Sequence, residues 1–299
     1  MDNAAAKETA PNFKLGLISA ILVLLIWAGI LVVSSAGAKT ALTAGDITAL
    51  RFVVAGSLTL PFVWRWWPRH LPWHVAALLA LTGPGIVYGM FMYLGLAEIT
   101  AAYGGVFANG TIPLFTVLMV VLVTSTWPSQ GQLISVAVII LGGLLVGVSG
   151  ADASSGNVVL GISLTLAASA VLSVYIFGLR HWRIAPREAL ALVNVPNAVV
   201  FLPIWFFLMP SGLSQATMPV IPLQALYQGL GPGFIAVILL SLSANHLGAT
   251  ATSAFSAAVP ASAALLAIPA LGEIPTSMEW AGIGLVTFGL LAFVMTGRR

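Results

Sequence analysis

"LTGPGIVYGM" at 81–90 and "GLGPGFIAVI" at 229–238 place the same triplet, Gly-Pro-Gly, inside two apolar runs 148 residues apart. Proline lacks a backbone donor and glycine weakens a helix, so the triplet is a poor choice for a helix interior. Its use twice, in matching surroundings, points to a duplicated architecture in which both breaks have a purpose.

The surroundings are membrane-like. The chain has 299 residues, 60% hydrophobic and only 6% charged, against about 25% charged in a soluble domain. Such a composition cannot cover a water-facing surface. The charge excess, 11 Lys+Arg against 8 Asp+Glu, gives no footprint for nucleic acid, and the absence of cysteine excludes disulfides, thiolate metal sites and a catalytic thiol. A helix needs about 20 apolar residues to cross the hydrocarbon core. Ten segments qualify: 15–36, 44–64, 75–97, 99–124, 131–149, 158–179, 188–209, 222–244, 247–271 and 279–297. The first run is too long for the apolar core of a cleaved leader.

Basic residues orient the spans. With the N-terminus inside, Lys7, Lys14, Arg65, Arg69, Arg180, Arg183, Arg187, Arg298 and Arg299 fall on the inner side, and Asp46, Glu98, Asp152, Glu273 and Glu279 fall at or near the outer face. Both termini are then cytoplasmic. Trp64, Trp66, Trp67 and Trp73 beside Arg65 and Arg69 read as interfacial anchors.

Residues 94–150 align with 241–297 at a constant offset of 147, pairing Pro113 with Pro260, Pro128 with Pro275, Gly142 with Gly289 and Gly150 with Gly297. Each copy carries a capping-box pattern after its aligned proline, Ser129-x-x-Gln132 and Thr276-x-x-Glu279. That makes Glu279 a helix cap before it is a chemical group. Upstream, Leu60-Pro61 parallels Leu202-Pro203, and loops absorb the drift in offset. The expected organisation is a tail at 1–13, a first five-helix repeat at 14–152 and a second at 153–299. Five spans per half is odd, so the second copy enters the membrane inverted. Inverted repeats characterise secondary transporters, with the site near mid-membrane between the halves.

In that frame the breaks at Gly83, Pro84, Gly85 and at Gly231, Pro232, Gly233 are candidate hinges that leave backbone groups unpaired at mid-depth, tolerable only against protein or a wet cavity; the alternative is a kink that eases packing. Candidate substrate-lining residues are Trp27, Tyr88, Asn109, Tyr175, Tyr227 and Ser256: aromatic faces accept ammonium groups and rings, while Asn109 and Ser256 can hydrogen-bond a carboxylate. Arg51 lies two turns into its span, placed either to snorkel to the outer headgroups or pair at the helix end, or to recognise an anion. His246 reads as a loop histidine. With no carboxylate at mid-depth, the pattern favours neutral or zwitterionic cargo and weak coupling to protons. No catalytic pair, His-Glu-x-x-His or cofactor motif is evident, so an intramembrane enzyme and a non-transporting receptor are the lesser alternatives.

"LGEIPTSMEWAGIGLVTFGLLAF" (271–293) and its partner "AEITAAYGGVFANGTIPLFTVLM" (97–119) resemble the end of an EamA domain. With ten spans and two repeats, nearly the whole chain resembles the drug/metabolite transporter superfamily, and most of all its bacterial aromatic amino-acid exporters. That resemblance implies ten helices around a central cavity, a bacterial inner-membrane location, export of amino acids or related metabolites, no cofactor, and function as a monomer. Gln132 stands where many relatives carry an acid.

Overall fold

The computed structural model describes residues 12–149, 156–247, 252 and 255–297. Lys7, the proposed boundary at 152/153 with Asp152, and Arg298 and Arg299 lie outside the described residues.

The described residues are helical throughout, with no strand among them. Nine helices are long and apolar enough to cross a membrane: α1 (Phe13–Ala38), α2 (Ala44–Trp66), α3 (Trp73–Glu98), α4 (Ala101–Thr124), α5 (Gln130–Ser149), α6 (Val158–His181), α7 (Pro186–Leu208), α8 (Val220–Leu247) and, last in the chain, α10 (Ser277–Thr296). Between α8 and α10 lies a shorter apolar helix, α9 (Val259–Leu271). Each begins or ends within a few residues of the expected span, α9 excepted, since part of 247–258 is not described. Large apolar side chains such as Leu122, Phe206, Phe207 and Phe288 point outward and are exposed, as a lipid-facing surface requires.

Helix ends follow the sequence. Both predicted capping boxes form: Ser129 N–H donates to Gln132 Oε1 (3.0 Å) and Gln132 N–H to Ser129 Oγ (3.2 Å). Thr276 N–H donates to Glu279 Oε2 and Glu279 N–H to Thr276 Oγ1 (3.3 Å). A third box, Thr43 with Asp46, opens α2.

Packing pairs helices of the two halves. α5 lies along α10, α2 along α7, and α4 against α9, while α1 packs on α8 and α9 and α6 packs on α3 and α4. At the α5–α10 crossing the aligned glycines act reciprocally. A Cβ on Gly142 would lie 2.7 Å from the Gly282 carbonyl oxygen, and one on Gly289 would lie 3.1 Å from the Ser135 carbonyl oxygen. Residues 135 and 282 are themselves 147 apart, so the two contacts are the same contact made twice. Without a hydrophobic drive between helices in lipid, such close backbone approach through small residues is what holds a pair together.

Candidate functional site

The two Gly-Pro-Gly triplets do different things. In α3 the helix stops at Thr82 and restarts at Ile86. Pro84 has no N–H for the Ala80 carbonyl, and the turn carries Ile86 N–H away from its helical acceptor. One side chain repairs both losses: Asn197 of α7 donates from Nδ2 to the Ala80 carbonyl (2.9 Å) and accepts Ile86 N–H at Oδ1 (2.9 Å). Gly85 makes room for that amide, because a Cβ there would stand 2.5 Å from Asn197 Oδ1. In α8 the chain stays helical through the triplet by widening into a π turn over Gly231–Ile235, which passes carbonyls to donors five residues on. Asn194, one turn before Asn197, donates to the Gly233 carbonyl (3.1 Å) and to Thr59 Oγ1 (3.1 Å). One face of α7 thus clasps both breaks.

A second polar set joins α8 to α1 and α3. Gln224 Nε2 donates to the Val33 carbonyl (2.6 Å), Gln228 Nε2 to Ser34 Oγ (2.8 Å), and Tyr93 O–H to Gln228 Oε1 (3.2 Å). At the same end, Lys39 pairs with Glu273 (2.6 Å), whose other oxygen accepts Ala101 N–H (2.9 Å), so α1, α4 and the end of α9 are latched together. Asp46 belongs to this end as well. It lies inside the α2 helix, fully buried, and accepts from Trp205 Nε1 (2.9 Å), Ser211 Oγ (2.7 Å) and Gly212 N–H (2.9 Å). Asp46 thus lies within the first turn of a span, where it completes the cap of α2.

Of the expected lining residues, Tyr88 and Tyr175 are buried and lie on α3 and α6. Tyr175 packs beside the α3 break, its ring 3.1 Å from where a Gly83 Cβ would be. Trp27 and Tyr227 are half-buried at the α1–α8 contact, and the Tyr227 O–H is engaged with the Ile26 carbonyl (3.1 Å). Asn109 is half-buried in a π turn of α4, Gly105–Gly110, and Ser256 donates to the Thr252 carbonyl. His246 closes α8, not a loop, and its Nδ1 accepts Asn12 N–H (3.3 Å).

Arg51 overturns the snorkelling expectation. It is 2% exposed, its side chain buried within the helix assembly. Asn194, Asn197, Gln224 and Gln228 were missed by sequence reading. Their signal was visible as amides spaced i, i+3 or i, i+4 within apolar runs, positions that are costly unless satisfied. No group of three or more metal-ligating side chains is present among the described residues.

A family profile described as the EamA-like transporter family matches residues 14–148 and 159–295. The chain is 26% identical over 263 residues to "Uncharacterized transporter YwfM" of Bacillus subtilis (strain 168), covering 84% of each chain. A crystal structure of 20% identity superposes with a TM-score of 0.63 over 96% of this chain and 99% of the other, a likeness of fold.

Proposed function

Because the chain belongs to the EamA-like transporter family, we propose that it is a secondary transporter exporting neutral amino acids, aromatic ones included, or closely related small metabolites by alternating access. The observation that carries this reading is a difference between the two ends of the helix assembly. At the end bearing Lys39 and Glu273, α1 packs against α3 and α4 and is locked by the Gln224, Gln228 and Glu273 bonds. The matching partners in the other half are α6 with α8 and α9, and no comparable packing joins them among the described residues. A latch at one end, without its counterpart among the described residues at the other, fits a pair of halves that rock against each other.

In this reading the halves, 14–152 and 153–299, are inverted five-helix repeats making ten spans in all. The reciprocal contacts of Gly142 and Gly289 support the two-fold relation. Both termini lie in the cytoplasm, the chain works as a monomer in a bacterial inner membrane, and the two Gly-Pro-Gly segments are its hinges. Trp27, Tyr88, Asn109, Tyr175, Tyr227 and Ser256 line the path, which suits uncharged rings and zwitterions better than cationic drugs.

Transport by the purified chain in liposomes tests the cargo. Labelled neutral amino acids are expected to enter well above empty vesicles, and entry of cationic dyes without any amino acid would overturn the reading. Topology is checked in intact cells with an impermeant thiol reagent: His70→Cys and Ile184→Cys are expected to be shielded and Pro275→Cys to label. Labelling of positions 70 and 184 from opposite sides would break the inverted repeat.

A further inference from the structure

Arg51 is a buried cation for which the described residues supply no anion. The ion pairs among the described residues are Lys39 with Glu273 and His70 with Glu188, and Arg51 is in neither. Its Nε is a buried donor with no hydrogen-bond partner. The acid nearest in sequence, Asp46, is committed to Thr43, Trp205, Ser211 and Gly212. Taking an unpaired guanidinium out of water is strongly unfavourable, and a buried cation with no partner weakens the fold that holds it. Helix α2 has no packing need that leucine would not meet better, so stability does not account for arginine here.

The neighbours suggest what does. Helix α2 packs on the part of α3 that follows the break, where Tyr88 stands on the first turn, and Tyr175 packs against that break from α6. Both tyrosines are buried, and no hydrogen bond of the described residues engages either phenol. The set contains donors and lacks an acceptor that bears charge.

We infer that the Arg51 guanidinium, flanked by the Tyr88 and Tyr175 hydroxyls, is the anchor for a carboxylate group of the transported molecule. This rests on the transport reading and narrows it: the cargo is a small acid, with or without an amino group, and not an amine alone. The planar guanidinium offers a fork of N–H donors that matches a carboxylate bidentately. Two phenols can donate to the remaining lone pairs. In a dry interior such charge-assisted bonds are strong and geometrically selective. The cargo's own charge completes the ion pair, so the occupied site carries less net charge than the empty one.

The test uses the full chain in detergent and reads ligand-induced shifts in unfolding temperature. Matched sets share a side chain and differ at one group: L-phenylalanine, L-phenylalaninamide, phenethylamine and 3-phenylpropionate, with parallel sets built on leucine and threonine. Members with a carboxylate are expected to bind in at least one set, and their amides and amines to bind at least tenfold more weakly. Arg51→Gln is expected to erase that difference, and Arg51→Lys to restore part of it. The unliganded Arg51→Gln protein is expected to unfold no earlier than the parent. Binding of 3-phenylpropionate without any amino acid would sink the amino-acid cargo and leave the anchor standing. Amides that bind as well as acids, acid binding that survives Arg51→Gln, or no acid bound in any set would overturn the anchor. Should Arg51→Gln fail to fold, the acid-against-amide comparison on the parent chain decides alone.

Discussion

The same three residues stop α3 and merely widen α8. Both prolines remove one donor, so the difference lies outside the triplets, in what stands opposite. Gly85 faces the amide of Asn197, which binds the stranded carbonyl and N–H together. Gly233 faces the methyl of Ala55, 3.1 Å from where its Cβ would be. A methyl offers no hydrogen bond, and Asn194 reaches only the Gly233 carbonyl, so α8 keeps most of its own bonds by changing pitch. A break in a membrane helix is thus set by the neighbour that can satisfy it as much as by the residues that cause it.

The largest expected effect is at Gly85. Gly85→Ala drives a methyl into Asn197 and orphans the buried Ala80 carbonyl, at about 1–3 kcal/mol, and the half-buried Ile86 N–H, at about 1 kcal/mol. A loss of roughly 2–4 kcal/mol in unfolding free energy is expected, with transport abolished. Gly233→Ala gains about 1 kcal/mol of helix propensity against a milder contact, so a net change within about 1 kcal/mol is expected. Equal losses at the two sites would erase the distinction drawn here.

Next in size are the amides. Asn197→Ala leaves Ala80 C=O and Ile86 N–H unpaired, and a loss of about 2–3 kcal/mol is expected. Asn194→Ala removes bonds to Gly233 and Thr59, and about 1 kcal/mol is expected, in line with interhelical polar bonds in membranes. Thermal unfolding in one detergent compares them, and a larger effect at Asn194 would reverse the assignment of roles.

The smallest effect sharpens the comparison most. Ala55→Asn offers α8 a second amide beside Asn194, able to accept a backbone N–H as Asn197 does in α3. Stability is expected to move by less than about 1 kcal/mol, while hydrogen exchange over residues 229–238 slows as the π turn gains a clamp. Faster exchange there would mean that the π turn is fixed by its own sequence.

Much of this was readable in advance, for reasons specific to each feature. The spans followed from apolar length, and the caps at Ser129 and Thr276 from a four-residue pattern whose partners are local. The alignment of Gly142 with Gly289 followed from the repeat, though the backbone that each one meets did not. What could not be read were bonds between a side chain and the backbone of a distant helix. Asn197 reaches Ala80 across 117 residues and Gln224 reaches Val33 across 191, and nothing in the sequence around an amide names the carbonyl it will meet. Arg51 was ambiguous for a related reason. Distance from a helix end fixes depth, but the direction of the side chain depends on neighbours.

The glycine crossing of α5 and α10 also bears on how the gene can change. Each residue turns an α-helix by about 100°, so one codon inserted upstream of Gly142 within α5, or of Gly289 within α10, would swing the glycine off the contact and bring a bulky side chain onto a backbone carbonyl. Loops tolerate such insertions, and helices crossing at this distance do not. The 147-residue spacing that runs without a gap from 94–150 to 241–297, yet drifts before it, marks where insertions and deletions are barred by sterics. An alignment of relatives is expected to show length variation clustered in the loops of each half and none within the helices that carry these glycines.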